Sequence, residues 1–256
     1  MITIRNTPNA AGVIISGDFE DLYNLVEAFY KITIGDYVER HHQYIPMSTR
    51  VLGLCYDIRH AYQGDREIEL IDNQMTEEIM AWHSLIAPQN NVYYSCRYLY
   101  PEMFFVMLAL NQLVDLHSGD HANTKGVLPG ERRNEVIWDD SIAMIRLLQA
   151  QFASCVRNTL TDAAFSRWMK AMSSDQADMR DIAGQYLDLL AIDYIPLTRK
   201  QRLQALPALA ERIVGFQEDV DHKEIARVVN AAAEEWQCEP GDIQLEGIEY
   251  PNCFEW

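Results

Sequence analysis

Two short stretches of the chain hold side chains of the types that acid–base or metal chemistry needs. The first runs from Asp57 through Arg59, His60, Asp65, Arg66 and Glu67 to Glu69. Carboxylates repeated along a strand edge beside an imidazole are the ligands of a Mg-dependent phosphodiesterase or nuclease. The lysine that such nuclease motifs place near the carboxylates is absent, and Arg59 and Arg66 have the charge to pair with Asp57, Asp65 or Glu67 as structural ion pairs. The second stretch is His117-Ser118-Gly119-Asp120-His121, where His117, Asp120 and His121 are ligand types for Zn, Mn or Fe. A helical metal site needs His at i and i+4 on an unbroken turn, and Gly119 weakens that turn. A histidine near a helix C-terminus also interacts favourably with the dipole, which accounts for His117 without a metal. His41-His42, in an aromatic loop with Tyr37 and Tyr44, adds two further imidazoles.

Other chemistries have no local support. The sequence contains no Gly-x-Gly-x-x-Gly, phosphate loop, Gly-x-Ser-x-Gly or His-Glu-x-x-His. No organic cofactor is therefore expected, and a divalent metal is the one group that the His and carboxylate clusters would take. The five cysteines, Cys55, Cys96, Cys155, Cys238 and Cys253, are odd in number and scattered, so neither a disulfide framework nor a zinc ribbon is indicated. Cys55 precedes His60 by five residues, which places no defined base beside its thiol.

Charge narrows the partners. The 256 residues carry a formal net charge of -17, and residues 218–256 hold eleven Asp/Glu against Lys223 and Arg227. Such a field repels nucleic-acid phosphates and anionic lipid, and favours a protein with a basic face. Glu234, Glu235 and Glu239 are the expected contact residues of that surface. The longest apolar run, Met103–Leu110, has eight residues, against roughly 20 for a membrane-spanning helix. The N-terminus lacks the pattern of a secretory signal, so a cytoplasmic location is expected.

The elements that must position these residues are legible from periodicity. Ile2-Thr3-Ile4 and Val13-Ile14-Ile15 flank turn-forming residues and read as a hairpin. Asp18 caps a helix over 18–33, and a second helix carries Val51, Leu54, Cys55 and Ile58 as far as Gly64. Residues 66–72 alternate charged and aliphatic as a strand does, Thr76 caps a helix carrying Ile79, Trp82 and Ile86, and 92–98 is a further strand. From Pro101 to about His117 the chain is apolar around its whole circumference, which marks a central helix. After a polar stretch the rest reads as helices, with Thr161 as a cap and Thr198-x-x-Gln201 as a capping box. Residues 243–250 alternate again, and Phe254 and Trp256 suit a tail that docks.

The expected fold is α+β and predominantly helical, with a small N-terminal mixed sheet and packed helices followed by a helical half. Residues 1–117 would form the α+β unit, 118–135 a connecting loop, and 136–256 a mostly helical region with an acidic tail; the alternative is that the whole is one continuous domain.

The segments Asn6-Thr7-Pro8-Asn9 through Gly17-Asp18, Val51 through His60, and Gly64-Asp65-Arg66-Glu67 together resemble a family of uncharacterised bacterial proteins, over roughly the first 110 residues. The resemblance implies a bacterial source and transfers no activity. The function expected is that of a non-enzymatic interaction protein with a basic partner; the alternative is a metal-dependent hydrolase or nuclease built on the His/carboxylate clusters. Self-association is compatible with this richness in tyrosine and methionine.

Overall fold

The computed structural model describes residues 1–33, 42–125, 138–174, 178–247, 250–251 and 254–256, with residues 120–125 described as backbone alone. Strands β1 (Thr3–Asn6) and β2 (Gly12–Gly17) form the expected hairpin. Its turn is tied by the Thr7 hydroxyl, which donates to the Gly12 carbonyl at 3.2 Å and accepts from the Gly12 N–H at 3.1 Å. Gly12 is required there, because a Cβ would lie 1.9 Å from the Tyr98 carbonyl oxygen of the neighbouring strand.

Helix α1 (Phe19–Thr33) leads by way of residues outside the described set to α2 (Ile45–His60), a single π turn (Ala61–Asp65) and β3 (Glu67–Asp72). Gly64 closes the π turn at φ +90°, a conformation that costs glycine nothing. A short helix α3 (Glu77–His83), capped by Thr76, connects β3 to β4 (Asn90–Leu99). The sheet order is β1-β2-β4-β3, and all three ladders are antiparallel where a mixed sheet was expected.

One face of this sheet carries Val13, Ile15 and Cys96, all buried. The other carries Arg5, Ser95, Arg97, Glu67 and Glu69, with Arg5 bridging to Glu69 across the sheet. Period-2 alternation thus separates a core face from a polar one.

The polypeptide then enters α4 (Tyr100–Lys125). Phe104, Phe105, Met107 and Leu108 are buried, as an all-round apolar helix demands. The helix continues through residues 118–125, which were expected to begin a loop. Helices α5 (Asp140–Thr159), α6 (Asp162–Met172), α7 (Gly184–Tyr194), α8 (Arg199–Val214) and α9 (Val220–Trp236) follow. Side chains of Asp139, Thr161, Thr198 and Asp219 cap four of them, Thr198 together with Gln201 in a capping box. Tyr100 and Phe104 of α4 pack with Phe152 of α5, and Phe104 and Phe152 also meet Trp168 of α6. Residues from Ile2 to Val229 share this one apolar core.

The C-terminal segment docks, and its described residues form no strand. Gln185 of α7 donates to the Ile243 carbonyl and accepts from the Leu245 N–H, both at 2.6 Å. Arg202 donates to the Glu255 carbonyl at 2.9 Å, and the Asn9 N–H donates to the Trp256 carbonyl at 2.8 Å. Phe254 and Trp256 pack on Ala11, Leu99, Ala191 and Ile195. Among the described residues, no helix is long and apolar enough to cross a membrane.

Candidate functional site

Around the junction of α2 and β3, the structure sorts the clustered side chains into pairs. Asp57 and Arg66, on either side of the π turn, meet at 2.9 Å. The hydrogen bond to Asp57 raises the Arg66 pKa. Glu67 is 2.8 Å from Arg97 of β4. His60 and Asp65 form a separate pair at 2.9 Å. Arg59 turns to the Tyr30 hydroxyl at 3.3 Å and lies over the Tyr56 ring. Asp57, Arg66 and Glu67 are therefore brought together with Arg97, while His60, Asp65 and Arg59 are not part of that group.

The group forms one wall of a cavity of about 630 Å³ between the sheet, α2, α4, α7 and the C-terminal segment. Arg50 also lines it, held by Glu102 through Nε at 3.0 Å, by Asp188 at 2.7 Å and by the Gly184 carbonyl at 3.0 Å. Burial by itself would lower the Arg50 pKa, but Glu102 and Asp188 outweigh it and raise the value. The Tyr250 hydroxyl lies 3.1 Å from Glu102 and 3.3 Å from Asp188, its single proton shared between the two carboxylates, and burial pushes its own pKa up. Each carboxylate lining the cavity thus faces a guanidinium, Asp57 with Arg66, Glu67 with Arg97, and Glu102 and Asp188 with Arg50. Such an arrangement holds elements together and presents alternating charge to the cavity. Its carboxylates are all engaged as ion-pair partners.

His117 is buried on α4, with Nε2 3.3 Å from the Asp139 carboxylate that caps α5. Burial alone would raise the Asp139 pKa; the Ile142 N–H and His117 bring it below the usual carboxylate range. The side chains of Asp120 and His121, and all of His41, lie outside the described residues, and His42 is exposed in a 3₁₀ turn. Among the described residues, no three His, Cys, Asp or Glu side chains converge as metal ligands. Burial raises the thiols of Cys55 and Cys155 to about 11 and that of Cys96 higher still. They are packing residues rather than nucleophiles.

The acidic region divides in two. Glu218 pairs with Lys223 at 2.9 Å, Glu224 with Arg227 at 2.6 Å, and Asp219 and Asp221 with Arg212 at 2.8 and 2.6 Å. Glu234 and Glu235, in the last turn of α9, and Glu239, three residues beyond its end, are exposed, and none has an ion pair among the described residues.

One feature is hidden from sequence patterning. The arm formed by β3, α3 and the start of β4 leaves its apolar side chains in solvent: Leu70 is 68% exposed, Trp82 84% and Ile86 101%, with Ile68, Ile71, Ile79, Leu85 and Val92 also exposed. Helix α3 buries none of its residues. Ile68 and Leu70 lie on the side of the sheet that the helices cover further in, so the arm extends the core face beyond its covering layer. The register pairs Ile68 with Tyr94 and Tyr94 with Gly17, two residues before Phe19, which together with Tyr23 and Tyr62 forms an aromatic rim. Asp72, Glu77 and Glu78 are exposed on the same arm. The helix expected to carry Ile79, Trp82 and Ile86 ends at His83, where Ser84 turns into the left-handed region, so Ile86 lies beyond it and no continuous stripe forms.

No curated protein and no solved structure matches this chain. One family model does match, that of a domain of unknown function, DUF6904, and it covers residues 2–256 rather than the first 110 alone. The paired carboxylates, the acidic helix end and the uncovered arm are thus all features of a chain that belongs, over essentially its whole length, to the DUF6904 family.

Proposed function

We propose that this protein is a non-enzymatic cytoplasmic interaction protein that docks a basic protein partner on its β3–α3 arm. The observation that carries the reading is the arm itself. Isolated exposed apolar residues are ordinary on a protein surface, but eight on one arm, Trp82, Ile86 and Leu70 among them, is the composition of an interface. The sign of the partner follows from charge. On the arm, Glu67 and Glu69 face Arg97 and Arg5, while Asp72, Glu77 and Glu78 are exposed with no ion pair among the described residues, on a chain of net charge -17. Glu234, Glu235 and Glu239, which have no ion pair among the described residues, add to the acidic field that steers a cationic protein toward the molecule. The commitment of Asp57, Glu67, Glu102 and Asp188 to arginines supports a non-catalytic role for the cavity.

The test is a titration of a partner isolated by affinity on the immobilised protein and then purified. Trp82→Ser combined with Ile86→Ser should weaken binding at least about tenfold, the loss expected when a central aromatic anchor is removed. The urea midpoint should stay unchanged, because neither side chain is buried. Equal affinity for wild type and variant would reject the arm as the docking surface.

A further inference from the structure

We infer that the open edge of β3 takes an extended segment of that partner as a fifth strand, one in which basic and apolar residues alternate. This rests on the arm being the docking surface and adds how the partner is held. In the order β1-β2-β4-β3, strand β3 is terminal, and no described strand lies on its outer side. Every second residue of such a strand offers its N–H and C=O to the open edge, a template for one more strand. Five of its six residues are exposed, so both of its faces are accessible together with the edge.

The side chains specify what fits. Glu67 and Glu69 point to the polar face of the sheet, where Arg97 and Arg5 already contact them. A carboxylate accepts several donors, so a lysine or arginine on the incoming strand joins these pairs without displacing them. Ile68 and Leu70 point to the opposite face and call for apolar neighbours. Cross-strand pairing therefore selects a segment with cationic side chains on one face and aliphatic ones on the other. A helix is a poorer fit, because an amphipathic helix needs a groove and β3 is a projecting strand. A second copy of the chain is disfavoured by charge, since two arms of the same acidic sign would have to meet, each on a chain of net charge -17.

The experiment uses the full chain and a fluorescein-labelled ten-residue peptide of alternating lysine and valine, followed by anisotropy. Binding should be at least tenfold tighter than for three controls: the same peptide N-methylated along its backbone, a glutamate/valine peptide, and a lysine/leucine peptide with helical spacing. Leu70→Lys in the protein should weaken it at least tenfold. The peptide should also compete with the purified partner. Equal binding of the N-methylated peptide would overturn strand addition. So would tighter binding of the helical peptide. Absence of peptide binding, with a dimer in sedimentation velocity that Leu70→Lys dissociates, would show that a second copy occupies the edge instead. If Trp82→Ser/Ile86→Ser weakens the partner while N-methylation changes nothing, the docking surface stands and only its mode fails.

Discussion

Arg50 of α2 lies 2.7 Å from Asp188 of α7, a contact between residues 138 positions apart. The same guanidinium holds Glu102 of α4, so one side chain ties the sheet-bearing half of the chain to the helical half. All three groups are mostly buried, with side-chain exposures of 22%, 10% and 25% for Arg50, Glu102 and Asp188.

Removing the cation should therefore leave two carboxylates without their counter-charge. Arg50→Met is expected to cost about 3 kcal/mol in urea unfolding, the range seen when one member of a buried ion pair is deleted. Adding Glu102→Gln should restore part of that loss, so that the double variant is less damaged than the sum of the single variants. A loss under about 1 kcal/mol would mean that solvent already screens the group.

A second prediction concerns acid. Burial would raise the Asp219 carboxyl, but the Arg212 and Tyr186 hydrogen bonds outweigh it and hold the group at about 2, against an ordinary 3.8. A depressed folded-state value adds stability that is fully present above the unfolded value and is lost as pH falls through the folded one. Asp219→Asn keeps a capping side chain and removes the charge. Wild type should exceed this variant by about 2 kcal/mol near pH 6, and the gap should close between about pH 4 and pH 2. A gap that stays constant over that range would separate Asp219 from the acid response.

How much of this was legible in sequence depended on distance along the chain. The Thr198 capping box, the Thr76 and Thr161 caps and the alternation of Glu67-Ile68-Glu69-Leu70 are local signals, and each element formed where they pointed. The Asp57–Arg66 pair was within reach because only a turn separates its members. Arg50 with Glu102 and Asp188 was not, because only the packing of α2 against α4 and α7 brings them together. Tyr250 was read as part of an alternating strand, yet its hydroxyl lies against Glu102, 148 residues away. Trp82 shows a different limit: its helical spacing with Ile79 and Ile86 implied one helix through all three, whereas α3 ends at His83 and buries none of its residues.

The charge of α9 makes a kinetic prediction. Glu234→Gln with Glu235→Gln and Glu239→Gln should slow association with the basic partner more than it speeds dissociation, and leave fold stability nearly unchanged. Raising salt from about 50 to 500 mM should slow wild-type association steeply and that of the variant less. Stopped-flow rates insensitive to both changes would reduce this surface to a solubilising one.

The central claim is that the partner is held on the arm, and amide hydrogen exchange with and without the purified partner tests it most directly. Residues 67–86 should exchange fast in the free protein, where neither β3 nor α3 is covered, and slow by at least tenfold in the complex, with β3 among the most protected. A complex that protects other surfaces while residues 67–86 exchange at their free rate would contradict the account.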